Sequence, residues 1–217
     1  MFYTGIGSRE TPNRVCMLMS RFAMLQWRKP RSGGAIQADE SQEVVPLELY
    51  LPRRGWRGKE GIWQYTQEQL LFADTIWQEA FPCDTKISTW TCDYFRRNVW
   101  QIMGLCASVK EAIFSDFVIC WTPDGALSIN DYRLGVTGGT GIAINIASIY
   151  GVPVYNLQRP DHFRKVLNWC VRMEQKHGLV FEESTRSFIR AATGEYLVAA
   201  EPERRGRGQL PILALYV

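Results

Sequence analysis

A run of five apolar residues, Phe117-Val118-Ile119-Cys120-Trp121, is closed at once by Thr122-Pro123-Asp124-Gly125. A half-exposed strand would alternate, so this uninterrupted run predicts a strand buried on both faces of a parallel sheet. That segment constrains the rest of the chain, because parallel neighbours cannot be joined by hairpins and require crossover helices. The flanking sequence supplies them. Phe2-Tyr3-Thr4-Gly5-Ile6 reads as a short buried strand, and Pro12 suits the first turn of a helix. Val15, Leu18, Met19, Phe22 and Leu25 follow at three- and four-residue spacing. Residues 44–51 (VVPLELYL) read as another strand stopped by Pro52, and helical periodicity returns over 67–80 and 95–107. A further helix opens at the 137–141 turn, 152–156 forms one more strand, and 160–176 a final helix. The expected fold is α/β: an open, mostly parallel, Rossmann-like sheet with helices on both faces over residues 1–177. From Gly178 short apolar runs at 180–181, 188–189, 196–198 and 212–215 predict a small β-rich C-terminal extension over 178–217, with the basic 204–208 segment as a turn.

Composition narrows the class without choosing a function. The chain has 217 residues, 46% of them hydrophobic. A chain of this length buries roughly 70% of the surface it exposes when unfolded, so neither a metal nor disulfides are required. Net charge is +3, from 25 Lys+Arg against 22 Asp+Glu. That excludes a general polycation that coats nucleic acid, but not a domain that binds one nucleotide-sized anion. The N-terminus has no basic segment followed by an apolar one, and no window approaches the roughly 18 apolar residues of a membrane span. The expectation is a cytoplasmic protein without a membrane partner. The six cysteines contain no CxxC pair, and neither His162 nor His177 stands at metal-ligand spacing. No metal is expected, and the thiols read as reduced and mostly buried.

Three strand-end turns carry the candidate chemistry: Gly5-Ile6-Gly7-Ser8-Arg9, Ser32-Gly33-Gly34-Ala35 and Thr137-Gly138-Gly139-Thr140-Gly141. Ligands of parallel sheets bind beyond the carboxyl ends of the strands, where loops converge. Glycine lets the backbone approach a phosphate, and exposed N–H groups with the helix dipole favour its charge. Ser8, Thr137 and Thr140 add hydroxyl donors and Arg9 a charge-assisted one. Each turn alone is ordinary turn chemistry; three on one sheet edge predict a phosphate site. The GxGxxG fingerprint is absent, since Glu10 occupies the third glycine position, and no GK[ST] occurs. A nicotinamide dehydrogenase and a P-loop nucleotidase are therefore disfavoured, and no cofactor is expected.

These turns, together with Glu10-Thr11-Pro12, Asp39 and the 118–125 segment, resemble the SLOG superfamily of DprA-like and LOG-like Rossmann-type proteins, in particular versions encoded by bacteriophages. The resemblance covers roughly residues 1–157. It implies a pocket for a nucleotide or nucleotide-derived ligand, with phosphate at the last glycine turn, and a location in the host cytoplasm. Members include phosphoribohydrolases, sensors of NAD-derived signals and DNA-binding recombination mediators, so the fold leaves function open. Two departures stand out. Hydrolytic members resemble PGGxGTxxE, and the glutamate position falls here on Asn145, which cannot exchange a proton near neutral pH. Similar proteins follow the second turn with an acid-glycine-small-Asp run, whereas this chain has Ile36-Gln37-Ala38-Asp39.

Asp39 and Glu40 are the candidate catalytic acids or ribose acceptors; the alternative is a pair of helix-start carboxylates favoured by the dipole. Arg96 and Arg97 are expected at the head of a helix, where a cation opposes the dipole. They are read as holding an anion with Arg9, or as a solvated, salt-bridged face. Trp56, beside Arg53, Arg54 and Arg57, is the exposed candidate for base stacking. The leading reading is a homo-oligomeric binder that senses or sequesters a host signalling nucleotide. An N-glycosidic hydrolase or transferase using Asp39 or Glu40 is the alternative, and a single-stranded DNA mediator the third.

Overall fold

A computed structural model describes residues 1–83, 87–184 and 187–193, and the backbone of 196–199 and 213–214. The expected alternation is realised as β1 (Phe2–Gly7), α1 (Asn13–Leu25), β2 (Lys29–Ser32), β3 (Glu48–Leu49), α2 (Gln67–Glu79) and α3 (Thr89–Met103). It continues as β4 (Val118–Trp121), α4 (Thr140–Ile149), β5 (Val154–Asn156) and α5 (Pro160–His177). The five strands form one parallel sheet in the order β3-β2-β1-β4-β5. The chain walks outward from β1 to β3 and then returns to the other side of β1. The loops after β1 and β4 therefore diverge between adjacent strands, which is the switch point where such sheets bind ligands.

Alternate residues of each strand feed opposite cores. Ile6, Val118 and Cys120 pack under α2, α3 and α4, whereas Tyr3, Ile119 and Trp121 pack under α1 and α5. Both faces of β4 are covered, which is why its sequence is apolar without interruption. No disulfide joins any of the six cysteines among the described residues, and Cys16, Cys106, Cys120 and Cys170 are buried. Burial raises the Cys106 thiol to about 11 and the Cys170 thiol to about 12, so both are inert protonated core residues. Among the described residues no helix is long and apolar enough to cross a membrane.

The C-terminal runs form β6 (Leu179–Glu182), β7 (Ser187–Arg190), β8 (Tyr196–Ala199) and β9 (Leu213–Ala214), paired antiparallel in that order. Phe188 of β7 is fully buried in the core shared by α1 and α5. Arg21 of α1 forks onto the Glu174 carboxylate of α5 beside the Phe181 ring, so this sheet is fastened to the main body. The 204–208 segment lies outside the described residues.

Two boundaries differ from expectation. The strand expected over 44–51 shortens to Glu48–Leu49 with one further bridge, Tyr50 to Ile62. It is an edge strand, and Pro46 has no N–H to offer a ladder. Helix α3 starts at Thr89 rather than Phe95, because the Ser88 hydroxyl caps it by accepting from the Thr91 N–H. Arg96 and Arg97 thus lie in the helix interior, and the expected conflict with the helix dipole does not arise.

Arg96 instead clamps α3 to α2. Its Nε and Nη2 reach the two Asp74 oxygens at 2.6 and 2.7 Å, and its Nη1 reaches Asp93 at 3.0 Å. Burial alone would raise the Asp74 carboxyl, but hydrogen bonds from Arg96 and Trp77 outweigh it and hold the group below its ordinary value. A carboxyl depressed in the folded state contributes stability above its unfolded pKa and loses it as pH falls through the folded one. Asp74→Asn should therefore lower stability by about 1–2 kcal/mol near neutrality. Urea titrations should show that deficit shrinking below about pH 4, the ordinary carboxylate range. A pH-independent deficit would deny the ion pair its role.

Candidate functional site

The turns after β1 and β2 are joined by one carboxylate. Asp39 is 2% exposed. Its Oδ1 accepts from the Gly7 amide at 3.1 Å, and its Oδ2 from the Gly33 and Ala35 amides at 3.1 and 3.3 Å. Burial pushes this carboxyl up, while the Arg97 charge and the three amides pull it back only part of the way. With both oxygens engaged by backbone, Asp39 is a bracket between turns. It is not the free acid or ribose acceptor that the sequence suggested. Glu40 opens a 3-10 turn, Glu40–Gln42, and pairs with Lys59 at 3.3 Å and Arg57 at 3.6 Å.

Helix α3 ties in the third turn through two consecutive residues. Arg97 Nη1 donates to the Gly33 carbonyl at 2.9 Å, and Asn98 Nδ2 donates to the Gly139 carbonyl at 2.8 Å. Arg97 is 9% exposed, with its guanidinium 5.6 Å from the Trp56 ring and 5.5 Å from the Tyr94 ring. Its Nε has no hydrogen-bond partner among the described residues. Burial lowers the pKa of Arg97, the Asp39 charge opposes that, and the nearby Arg9 charge adds to it. Arg9 and Arg97 therefore share one electrostatic neighbourhood. Arg96, one helical step of about 100° away, is directed to α2, so the expected three-arginine convergence reduces to two.

The glycines divide into two kinds. A Cβ on Gly7 would lie 2.5 Å from that of Ala38, and one on Gly33 would lie 2.5 Å from the Arg97 guanidinium carbon. These two are glycine because other side chains already fill the space. Gly34 has φ +65° and packs toward Lys59 and Leu49, and Gly141 abuts the Tyr132 ring. A Cβ on Gly138 or Gly139 would meet nothing within 4 Å, and Gly138 has φ +69°. That turn is open at the start of α4, where Gly139 gives no side-chain cap and the first helical turn has no acidic residue. An anion there would meet N–H groups and the positive end of the helix dipole.

The hydroxyl positions are not equivalent. Thr137 is buried, and its Oγ1 accepts from the Arg133 amide at 2.8 Å and donates to Asp124. It pins the turn and offers no free donor. Thr140 and Ser8 are half-exposed and Arg9 is exposed. Asn145 is fully buried, and its Nδ2 donates to the Ala80 carbonyl at the end of α2 at 2.8 Å. It therefore lies inside the helical layer and does not line the site, because it is more than a turn into α4.

Sequence reasoning missed Asn98 and Asn156. Asn156 Oδ1 accepts from the Thr122 and Gln158 amides, and its Nδ2 donates to Thr122 Oγ1 and the Ala126 carbonyl, which fixes the loop after β4. The available signal was a fully buried amide ending an otherwise apolar strand. Trp56 was misjudged in the other direction, being 9% exposed, whereas Trp90 is 62% exposed with Arg53 4.4 Å from its ring. Among the described residues no three His, Cys, Asp or Glu side chains are placed to hold a metal ion. No family model, curated protein or solved structure matches the chain.

Gln37 stands where the resembled pattern has glycine, and it adopts φ +72°. Its carbonyl accepts from the Ser41 amide and hydroxyl, each at 3.0 Å, and its side-chain oxygen accepts from Cys16 Sγ at 3.4 Å. These bonds hold a residue in a region that disfavours a Cβ by about 1–2 kcal/mol. Gln37→Gly should leave the thermal midpoint unchanged or raise it, while Gln37→Val should lower it by several degrees. Equal destabilisation by both variants would place the constraint in the side chain and not in the backbone.

Proposed function

We propose that the protein binds a nucleotide or nucleotide-derived small molecule at the carboxyl edge of its parallel sheet. The phosphate would lie at the 138–140 turn, with Arg9 and Arg97 supplying positive charge. The observation that carries this reading is the tying of three glycine turns into one constellation: Asp39 joins Gly7 to Gly33, and Arg97-Asn98 joins Gly33 to Gly139. The SLOG resemblance supports the same ligand class, and with it a phage protein that senses or sequesters a host signalling nucleotide. Binding is favoured over N-glycosidic cleavage because both Asp39 oxygens face backbone amides and Asn145 is buried. Isothermal titration against nucleoside mono- and diphosphates, cyclic nucleotides and ADP-ribose-type ligands should reveal a micromolar binder, recovered intact by chromatography. Arg9→Ala should weaken it about tenfold or more, the loss of one charge-assisted hydrogen bond. No binding across the panel, or affinity unchanged in Arg9→Ala, would reject this site.

A second reading is supported by a different surface. Arg53 stacks on Trp90 and Arg54 on Trp63, at 4.4 and 5.7 Å. Arg53 and Arg54 have no carboxylate partner among the described residues. Alternating cations and indoles suit single-stranded nucleic acid, whose bases stack while its phosphates pair. Affinity for oligo-dT should fall steeply with salt, and Trp90→Ala should cost about 1–3 kcal/mol. Salt-insensitive binding, or none, would remove this reading.

A further inference from the structure

A cavity lies at the end of the sheet opposite the glycine turns, under the C-terminus of α3. It measures about 180 Å³, and its lining includes Phe2, Arg31, Glu48, Gly104, Leu105 and Ile113. None of these belongs to the glycine turns. Thr4, Arg31 and Glu48 are in-register neighbours on adjacent parallel strands, so their side chains share the face toward α3. Arg31 is 2% exposed, with its guanidinium 4.0 Å from the Phe2 ring. Its Nε donates to Glu48 Oε2 at 2.8 Å and its Nη1 to the Ile113 carbonyl. Gly104 has φ +71°, and a Cβ there would come within 2.7 Å of Arg31 Nη2. That third nitrogen has no hydrogen-bond partner among the described residues, and neither has Glu48 Oε1, since Tyr50 donates to Oε2 as well. The cavity is therefore lined by an ion pair, buried at Arg31 and partly exposed at Glu48, with one unused donor and one unused acceptor beside apolar walls.

Size and charge select the occupant. Drug-sized ligands occupy about 300–1,000 Å³, so this space is too small for a nucleotide. The guanidinium and carboxylate offset each other, so an anion would face Glu48 and a cation would face Arg31. We propose that the cavity binds a small, neutral, planar molecule carrying an adjacent acceptor and donor, the edge of an amide or amidine as in a free nucleobase. The acceptor would accept a hydrogen bond from Arg31 Nη2, the donor would donate one to Glu48 Oε1, and the ring would lie between Phe2 and the Leu105–Ile113 rim.

Saturation-transfer NMR on the full chain with uracil, adenine and benzamide at millimolar concentration tests this. Toluene serves as the apolar control. At least one amide-edged probe should bind, and Ile113→Trp should weaken it about tenfold by filling the mouth, the loss of roughly 1.4 kcal/mol. Ile113 is 62% exposed, so the variant keeps the fold, which a cooperative melt verifies, and Leu105→Trp is the substitute if it does not. Arg9→Ala should leave probe binding unchanged, which separates this cavity from the glycine turns. The proposal is overturned if no probe binds or if binding survives the rim variants. It is equally overturned if toluene binds as well as benzamide, or if Arg9→Ala abolishes the signal.

Discussion

A carboxylate that accepts three backbone amides across two strand ends is the constraint on which this architecture turns. Asp39 lies in the connection between β2 and β3, yet it fixes the chain as it leaves β1 and as it leaves β2. Burying an ionised carboxylate costs several kcal/mol unless hydrogen bonds and a counter-charge replace its water. Here the Gly7, Gly33 and Ala35 amides supply the hydrogen bonds and Arg97 the charge. The arrangement needs residues without side chains at 7 and 33, because Ala38 and Arg97 occupy the volume a Cβ would take. It also needs a tight loop to carry Asp39 back under the turns, and the positive φ at Gln37 provides it.

The other edge of the constellation depends on helix phase. Residues 96, 97 and 98 follow one another at about 100° per step and serve three purposes. Arg96 joins α2, Arg97 holds the second glycine turn, and Asn98 holds the third. One helix thereby fixes the separation of two turns that lie more than a hundred residues apart in sequence. The open Gly138-Gly139 segment gains a set position relative to Arg9 and Arg97 without any direct contact with them.

Much of the fold could be read from the sequence, because its signals are local. The unbroken apolar run at 117–121, the 3.6-residue period of α1 and α5, and proline and glycine at helix ends each act over a few residues. The site was less readable because its determinants are tertiary. Gly5 is glycine because the Gln42 side chain would lie 2.3 Å from a Cβ, a relation no turn motif encodes. Arg96 and Arg97 are indistinguishable by type, and only the packing of α3, which starts at Thr89 behind the Ser88 cap, gives them different partners. Trp56 looked exposed for its basic neighbours, yet Arg57 and the distant Arg97 of α3 lie over the indole and help to bury it. Asn145 matched a site position by alignment of a glycine turn, but burial assigned it to the end of α2.

The buried cations show how a chain of modest net charge acquires local specificity. Arg31 is matched by Glu48, whose side chain is 23% exposed, so that pair is neutral and offers a hydrogen-bond pattern more than a net charge. Arg97 is matched differently. Its counter-ion Asp39 is already held by three amides, Arg9 adds a like charge, and one guanidinium nitrogen has no partner among the described residues. Burial is the main cause of the lowered pKa of Arg97; the Asp39 charge opposes it and the Arg9 charge adds a smaller push in the same direction, so the guanidinium is short of solvation as well as of counter-charge. An anion seated on the neighbouring turn would reverse that imbalance, and its binding free energy would include the relief of the Arg9–Arg97 repulsion. On the two proposals, the ends of α3 would select differently, by charge at the glycine turns and by shape with polarity at the Arg31 cavity.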